Sequence, residues 1–186
     1  MIAGVDEAGR GPLAGDVYAA AVILPEEYDL PGLNDSKKLT AKKREVLFEL
    51  IKEQAVAFCI ASASVAEIEE LNILQASLLA MRRAVEGLSV TPPSLLLVDG
   101  NCAKGFDIPA QAIIGGDGLH PCIAAASVLA KVSRDWSMEE LDALYPQYGF
   151  AKHKGYGTAA HIRALKEFGS SPAHRALFIR KVLKNA

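Results

Sequence analysis

Residues 2–16 read IAGVDEAGRGPLAGD, and the reading of this stretch governs the reading of everything after it. An apolar run ends at two adjacent acids, Asp6 and Glu7, and a glycine-rich turn with one arginine, Gly9-Arg10-Gly11, follows at once. Apolar residues running into an acid are the pattern of a buried strand that delivers a carboxylate at its end. The glycines permit positive φ and close approach of a ligand to the backbone. Taken alone, the stretch fits a plain hairpin with solvated acids equally well. Its meaning depends on what the remaining chain brings near it.

Outward from this stretch, Val17 to Leu24 (VYAAAVIL) reads as a second buried strand, and the tight Gly-Pro turn between the two predicts an antiparallel pair. Pro25 and Pro31-Gly32 bound a loop that delivers Asn34 to Lys38. Thr40 is the expected N-cap of a helix running to about Glu53, with Val46, Leu47, Leu50 and Ile51 on one face. Residues 55–64 read as a third strand, and 65–87 as one helix stopped by Gly87. SLLLV at 94–98 is a buried strand ending at Asp99, and a short strand near 112–114 leads into Gly115-Gly116-Asp117-Gly118. A long helix follows from about Pro121 to Leu144, then shorter helices around 158–168 and 172–183. The expectation is one α/β domain over residues 1–186: a mixed five-stranded sheet flanked by helices, with a small C-terminal helical part from about 146. A right-handed parallel crossover between the first strand and the SLLLV strand is allowed, and ligands of such sheets sit beyond the carboxyl ends of strands.

Composition narrows the function classes. At 51% hydrophobic and a net charge of −2, the chain can fill a core, but its bulk charge recruits neither nucleic acid nor membrane. Polyanion binding would have to come from local clusters such as Lys37-Lys38, Lys42-Lys43-Arg44 and Lys152-His153-Lys154. Three cysteines without C-x-x-C spacing argue against a disulfide framework or a zinc site and fit a reducing compartment. No apolar run reaches the roughly 20 residues of a membrane span, and no basic-then-apolar leader opens the chain. A cytoplasmic monomer without a membrane partner is expected.

The chain twice writes an apolar run ending in Asp: IAGVD with Asp6 and Glu7, and SLLLVD with Asp99. Parallel neighbouring strands about 4.8 Å apart would bring these carboxylates to one end of the sheet. Asp117, in its glycine-rich turn, can join them. Crowded carboxylates are driven toward protonation unless a cation neutralises them. Oxygen ligands without His or Cys select Mg²⁺ or Mn²⁺, and such sites act on phosphate esters through two metals about 4 Å apart. Scattered surface acids at strand ends are the alternative.

Other motifs fail. Gly9-x-Gly11-x-x-x-Gly15 has one residue too many for a dinucleotide fingerprint and links two strands, and no G-K-[ST] loop is present. None of His120, His153, His161 and His174 has metal-ligand spacing, and only His153, in a basic loop, is a candidate phosphate contact. Ser127, Lys131 and Arg134 recur at spacings of four and three, giving a polar stripe that belongs either near the acids or on a solvated face.

Several blocks together resemble the ribonuclease HII family: GVDEAGRGPLAG at 4–15, NDSKKL at 34–39, ELNIL at 70–74, VDGN at 98–101, IAAASVLAKVSRD at 123–135 and QYGFAKHKGYGT at 147–158. Ribonuclease HIII shares the core but adds an N-terminal domain, and here Met1 directly precedes the first strand. The resemblance implies a ribonuclease H-like fold and cleavage of RNA paired to DNA. It extends to single ribonucleotides embedded in duplex DNA, cut on their 5′ side to leave 3′-hydroxyl and 5′-phosphate ends. By motif match, Asp6, Glu7, Asp99 and Asp117 would be the catalytic, metal-binding carboxylates. Gly9, Arg10 and Gly11 would sense the ribose 2′-OH at the junction, which a glycine backbone can approach closely. Tyr156 would pack against the junction sugar, and Ser36, Lys37 and Lys38 would contact phosphates.

The chain departs from the family pattern at three places. Gly116 stands for a lysine usually found before the fourth acid, Gly157 for a common proline after the tyrosine, and Cys122 for a frequent polar residue. These are expected to alter metal affinity or rate, with Asp117 the least secure ligand. Two other functions stay open: a nucleic-acid binder on the same fold with a lost metal site, and another nuclease of the superfamily. A duplex with one embedded ribonucleotide separates them. Cutting 5′ of it, binding alone, and indifference to the 2′-OH are the three outcomes.

Overall fold

Apolar runs that carry no polar alternation belong in strands covered on both faces, and the sheet is built from such runs. The computed structural model describes residues 1–33 and 39–184. Strands β1 (Ile2–Ala8) and β2 (Val17–Ile23) pair antiparallel, with Asp6 opposite Ala20. Strand β3 (Ala57–Ala63) continues antiparallel beyond β2. On the other side, β4 (Leu95–Asp99) lies parallel to β1, and β5 (Ala110–Ile113) parallel to β4. The order β3-β2-β1-β4-β5 is the mixed five-stranded sheet expected from the sequence, with the first strand at its centre.

Alternate residues of β2 feed two cores. Ala20 and Val22 meet Leu47, Phe48 and Ile51 of α1 (Ala41–Gln54) and Val128 and Leu129 of α4 (Pro121–Leu144). Ala19, Ala21 and Ile23 face α2 (Val65–Leu71) and α3 (Ile73–Glu86), where Ile68, Leu78, Met81 and Val85 are buried. A third cluster joins Leu13 and Ala14 to Met138, Phe150, Leu165 and Ile179, docking the C-terminal helices α5 (Phe150–His153), α6 (Ala159–Phe168) and α7 (Ala176–Lys184) on the glycine-rich loop. Gly4 is what lets α4 lie directly on the sheet: a methyl there would sit 2.2 Å from the Cys122 carbonyl carbon. Among the described residues no helix is long and apolar enough to cross a membrane.

Three boundaries differ from the sequence reading. The single helix expected over 65–87 breaks at Asn72, whose φ is 73°. Its N–H closes α2 on Ile68, and its side chain accepts from the N–H groups of Leu74 and Gln75 to start α3. Helical periodicity runs through the break, which is why the apolar pattern hides it. Strand β5 begins two residues earlier than expected, at Ala110. Helix α7 begins at Ala176 and not at Pro172, because His174 instead forms an isolated bridge with Ala14.

Candidate active site

The parallel register pairs Val5 with Val98, so one step further Asp6 stands beside Asp99 at the carboxyl ends of β1 and β4. The two runs that end in Asp are therefore spatial neighbours, as the sequence predicts. Asp6 is 5% exposed, accepts a 2.7 Å hydrogen bond from the Glu7 N–H, and is held by the Ser127 side chain from α4. Burial pushes its carboxyl well above the usual range, and the charges of Glu7 and Asp99 add to this. Burial also raises Glu7; Arg10, whose Nη1 is 3.4 Å from Glu7 Oε1, opposes the rise, and Asp99 adds to it. Three carboxylates thus feel one another's charge across one strand end.

Asp99 Oδ1 accepts a 2.7 Å hydrogen bond from the Gly116 N–H. Asp117 is the next residue, buried in the short 3-10 turn Gly116–Gly118 that opens α4. The turn carrying the fourth acid is therefore tied directly to the third. Gly116 fits closely there: a methyl would come 2.6 Å from Ile123 Cδ1 and 3.3 Å from Asp99 Oδ1. The lysine usual in the family would need Ile123 to shift.

Among the described residues, no three acid, histidine or cysteine side chains stand together as a ready metal cage. Each carboxylate is instead turned to a local partner: Asp6 to the Glu7 N–H and Ser127, Glu7 to Arg10, Asp99 to the Gly116 N–H. That is the arrangement mutually repelling anions adopt. An all-oxygen donor set, in which burial raises the proton affinity of Asp6 and Glu7, fits a hard divalent cation, which would restore their ionised forms.

Beside the acids lies a cavity of about 420 Å³, walled by Glu7, Gly9, Arg10 and Gly11 on one side and by Arg44, Lys131 and Tyr156 on the other. The expected polar stripe of α4 faces it: Ser127, Lys131 and Arg134 all line this space. Lys131 is paired with Asp135 at 2.5 Å. Tyr156 is 47% exposed, and a methyl on Gly11 would lie 3.6 Å from its ring. The Arg134 guanidinium lies 5.9 Å from the centre of the same ring. Ser36, Lys37 and Lys38 lie outside the described residues.

Sequence reasoning placed Arg134 in the polar stripe but missed how it holds this cavity in shape, and it missed Arg175 altogether. Arg134 is only 1% exposed and donates from Nη2 to the carbonyls of Ala14 and Lys154. Gly9, at φ 102°, packs on Arg134 so closely that a methyl would sit 2.1 Å from Nε. Arg175, fully buried, donates to the carbonyls of Gly9, Arg10, Pro12 and Gly15. The only sequence signal for it is indirect: a loop outside helix and sheet has carbonyls that need donors from somewhere.

His153 is not a free phosphate contact. Its Nδ1 accepts from the Gly155 N–H, so its Nε2–H donates to the Tyr148 carbonyl at 2.7 Å. His161 Nδ1–H donates to the Tyr156 carbonyl at 2.9 Å, leaving its Nε2 to accept from His174 Nε2–H at 3.0 Å. His174 Nδ1 in turn accepts from the Ser171 N–H. This chain of neutral rings runs from the C-terminal turn to the backbone of Tyr156. Burial lowers the pKa of both rings, that of His174 to about 4.

The sequence model of the ribonuclease HII family matches residues 3–182. The ribonuclease HII of Desulfitobacterium hafniense (strain DSM 10664 / DCB-2) is 62% identical over 177 residues, covering 95% of this chain and 68% of that protein. The ribonuclease HII of Neisseria meningitidis serogroup C (strain 053442) is 57% identical over 178 residues, covering 96% and 92% respectively. Among solved structures, the ribonuclease HII of Archaeoglobus fulgidus, determined in complex with PCNA, superposes with a TM-score of 0.82 at 25% identity, over 97% of this chain and 94% of that one.

Proposed function

The chain belongs to the ribonuclease HII family and is an endoribonuclease with the ribonuclease H-like fold, and from that premise we propose how its own residues carry the activity. The substrate is RNA paired to DNA, including single ribonucleotides embedded in duplex DNA. The cut falls 5′ of the ribonucleotide and leaves 3′-hydroxyl and 5′-phosphate ends. One observation carries this reading: the register of β1 and β4 sets Asp6 beside Asp99, with Glu7 and the Asp117 turn attached to them.

Asp6, Glu7, Asp99 and Asp117 would hold two Mg²⁺ or Mn²⁺ ions. Bound there, these supply Lewis acidity toward the attacking water and the leaving 3′ oxygen. The protein's part is placement. Ser127 fixes the Asp6 carboxyl, and Arg10 restrains Glu7 while leaving its second oxygen available. The Gly9–Gly11 backbone approaches the ribose, and the exposed face of Tyr156 offers a stacking surface for the junction sugar. Arg44 and Lys131, on the cavity wall, supply positive charge for the phosphate backbone; Ser36, Lys37 and Lys38, outside the described residues, are proposed as further phosphate contacts on the family motif alone.

The test is cleavage of a duplex carrying one ribonucleotide, with and without chelator. Cutting 5′ of that residue is expected only when Mg²⁺ or Mn²⁺ is present. Asp99→Asn should abolish it, by at least 10³-fold (about 4 kcal/mol of barrier), while circular dichroism remains that of the wild type. Cleavage unaffected by chelator, or cutting indifferent to the 2′-OH, would refute the reading.

A further inference from the structure

The loop from Gly9 to Asp16 links two strands, and apart from the isolated bridge at Ala14, where the Leu13 carbonyl accepts the Arg175 backbone N–H, its carbonyls have no ladder or helix to bond to. Arg175 meets them with every nitrogen it has. Nη2 donates to Gly9 and Gly15 at 2.7 Å each, Nη1 to Arg10 at 3.1 Å and Pro12 at 2.9 Å, and Nε to Gly15 at 2.9 Å. A guanidinium has five N–H donors, so the set is saturated. The side chain is 0% exposed, and no carboxylate forms a salt bridge with it among the described residues. A buried charge survives only if its hydrogen bonding is complete. Here backbone dipoles alone complete it, so the loop and the cation are fixed together or not at all.

The peptide units here are trans, so a carbonyl and the N–H of the following residue point in opposite directions. Because the Gly9 and Arg10 carbonyls point at Arg175, the N–H groups of Arg10 and Gly11 point away from it. Those same residues line the cavity beside Glu7 and Tyr156. Arg134, packed under Gly9, closes the other route by which the loop could turn over.

We infer that Arg175 is a specificity-determining positioning residue: it locks the peptide planes of residues 9–11 so that their N–H groups meet the ribose hydroxyl at a single embedded ribonucleotide. The inference rests on the proposed role of the Gly9–Gly11 loop. A long hybrid presents a 2′-OH at every nucleotide and tolerates a loosely held loop. One embedded ribonucleotide presents a single hydroxyl and does not.

The experiment compares kcat/KM on a single-ribonucleotide duplex and on a long RNA–DNA hybrid for the wild type, Arg175→Lys and Gly11→Ala. The ratio of the two substrates is independent of the active fraction, because the same molecules cut both. Arg175→Lys is expected to lower the ratio at least tenfold, chiefly through KM on the single-ribonucleotide duplex. Equal losses on both substrates would mean that Arg175 is merely structural and overturn the inference. A ratio changed in Gly11→Ala alone overturns the inference and leaves the loop reading standing; a ratio unchanged in both removes the loop reading itself. A measurement on the wild type covers the case in which the variant does not fold. In chelator, the Arg175 Nε–H resonance should shift on adding the single-ribonucleotide duplex and not its all-deoxy counterpart, and an identical response to the two duplexes would also overturn the inference.

Discussion

Asp6 holds its proton more tightly in the folded protein than in the unfolded chain, because burial and two acidic neighbours disfavour its charge. With the folded pKa raised, the ionised group costs stability above its ordinary pKa, and that cost fades as pH falls from the raised folded value to the ordinary one. Asp6→Asn removes the cost at neutral pH. The expected result in chelator is a melting temperature a few degrees higher, about 1 kcal/mol of stability, together with loss of cleavage. A lower melting temperature would show that the Ser127 bond outweighs the repulsion. His174 and His161 work with the opposite sign. Their folded pKa values are depressed, so the unfolded chain binds more protons between the ordinary value near 6.5 and about 4 for His174. Stability present above pH 6.5 is therefore lost as pH falls through that window, by roughly 3 kcal/mol for His174. Urea unfolding of the wild type and His174→Gln between pH 7 and pH 4.5 should show a steeper loss in the wild type. Parallel curves would mean that the ring is not held neutral. The neighbouring Asp6 and Asp99 were legible in the sequence because each stands at the end of an apolar run. Arg175 was not, because its role depends on carbonyls some 160 residues earlier.

Among the elements, the strands and α4 were readable because their apolar runs and caps are local: Pro121 opens α4 and Thr40 caps α1 as read, while Thr158 caps α6 where a helix start was expected. The break between α2 and α3 was not, because Asn72 interrupts the backbone without interrupting the apolar face. Its φ of 73° and ψ of 163° lie where only glycine is comfortable, and its side chain repays part of that strain by capping α3. Asn72→Ala loses the cap and keeps the strain, and should cost about 2 kcal/mol. Asn72→Gly loses the cap but relieves the strain, and should cost less. Chemical denaturation of the two variants checks the order, and an alanine variant as stable as the glycine variant would refute it. Gly116 shows the same limit: its departure from the family reads as a lost charge, whereas the structure also shows a close contact with Ile123 that a larger residue would have to displace.

For the molecule as a whole, the acids on the sheet and the cations around the cavity separate two tasks within a chain of net charge −2. If the carboxylates hold divalent ions only when folded, Mg²⁺ or Mn²⁺ at 100 times its dissociation constant should stabilise the protein by about 2.7 kcal/mol. Calorimetry with and without metal measures this, and Asp99→Asn should abolish the gain. An equal gain in that variant would place the ions elsewhere. The position of Arg175 has a consequence during synthesis. The Gly9 loop leaves the ribosome before its anchor, which is 166 residues further along the chain. At ordinary elongation speeds that interval is on the order of ten seconds. A nascent chain thus carries its acids long before it has a shaped pocket, and ribosome-bound fragments that end short of this arginine would be unable to select where they cut.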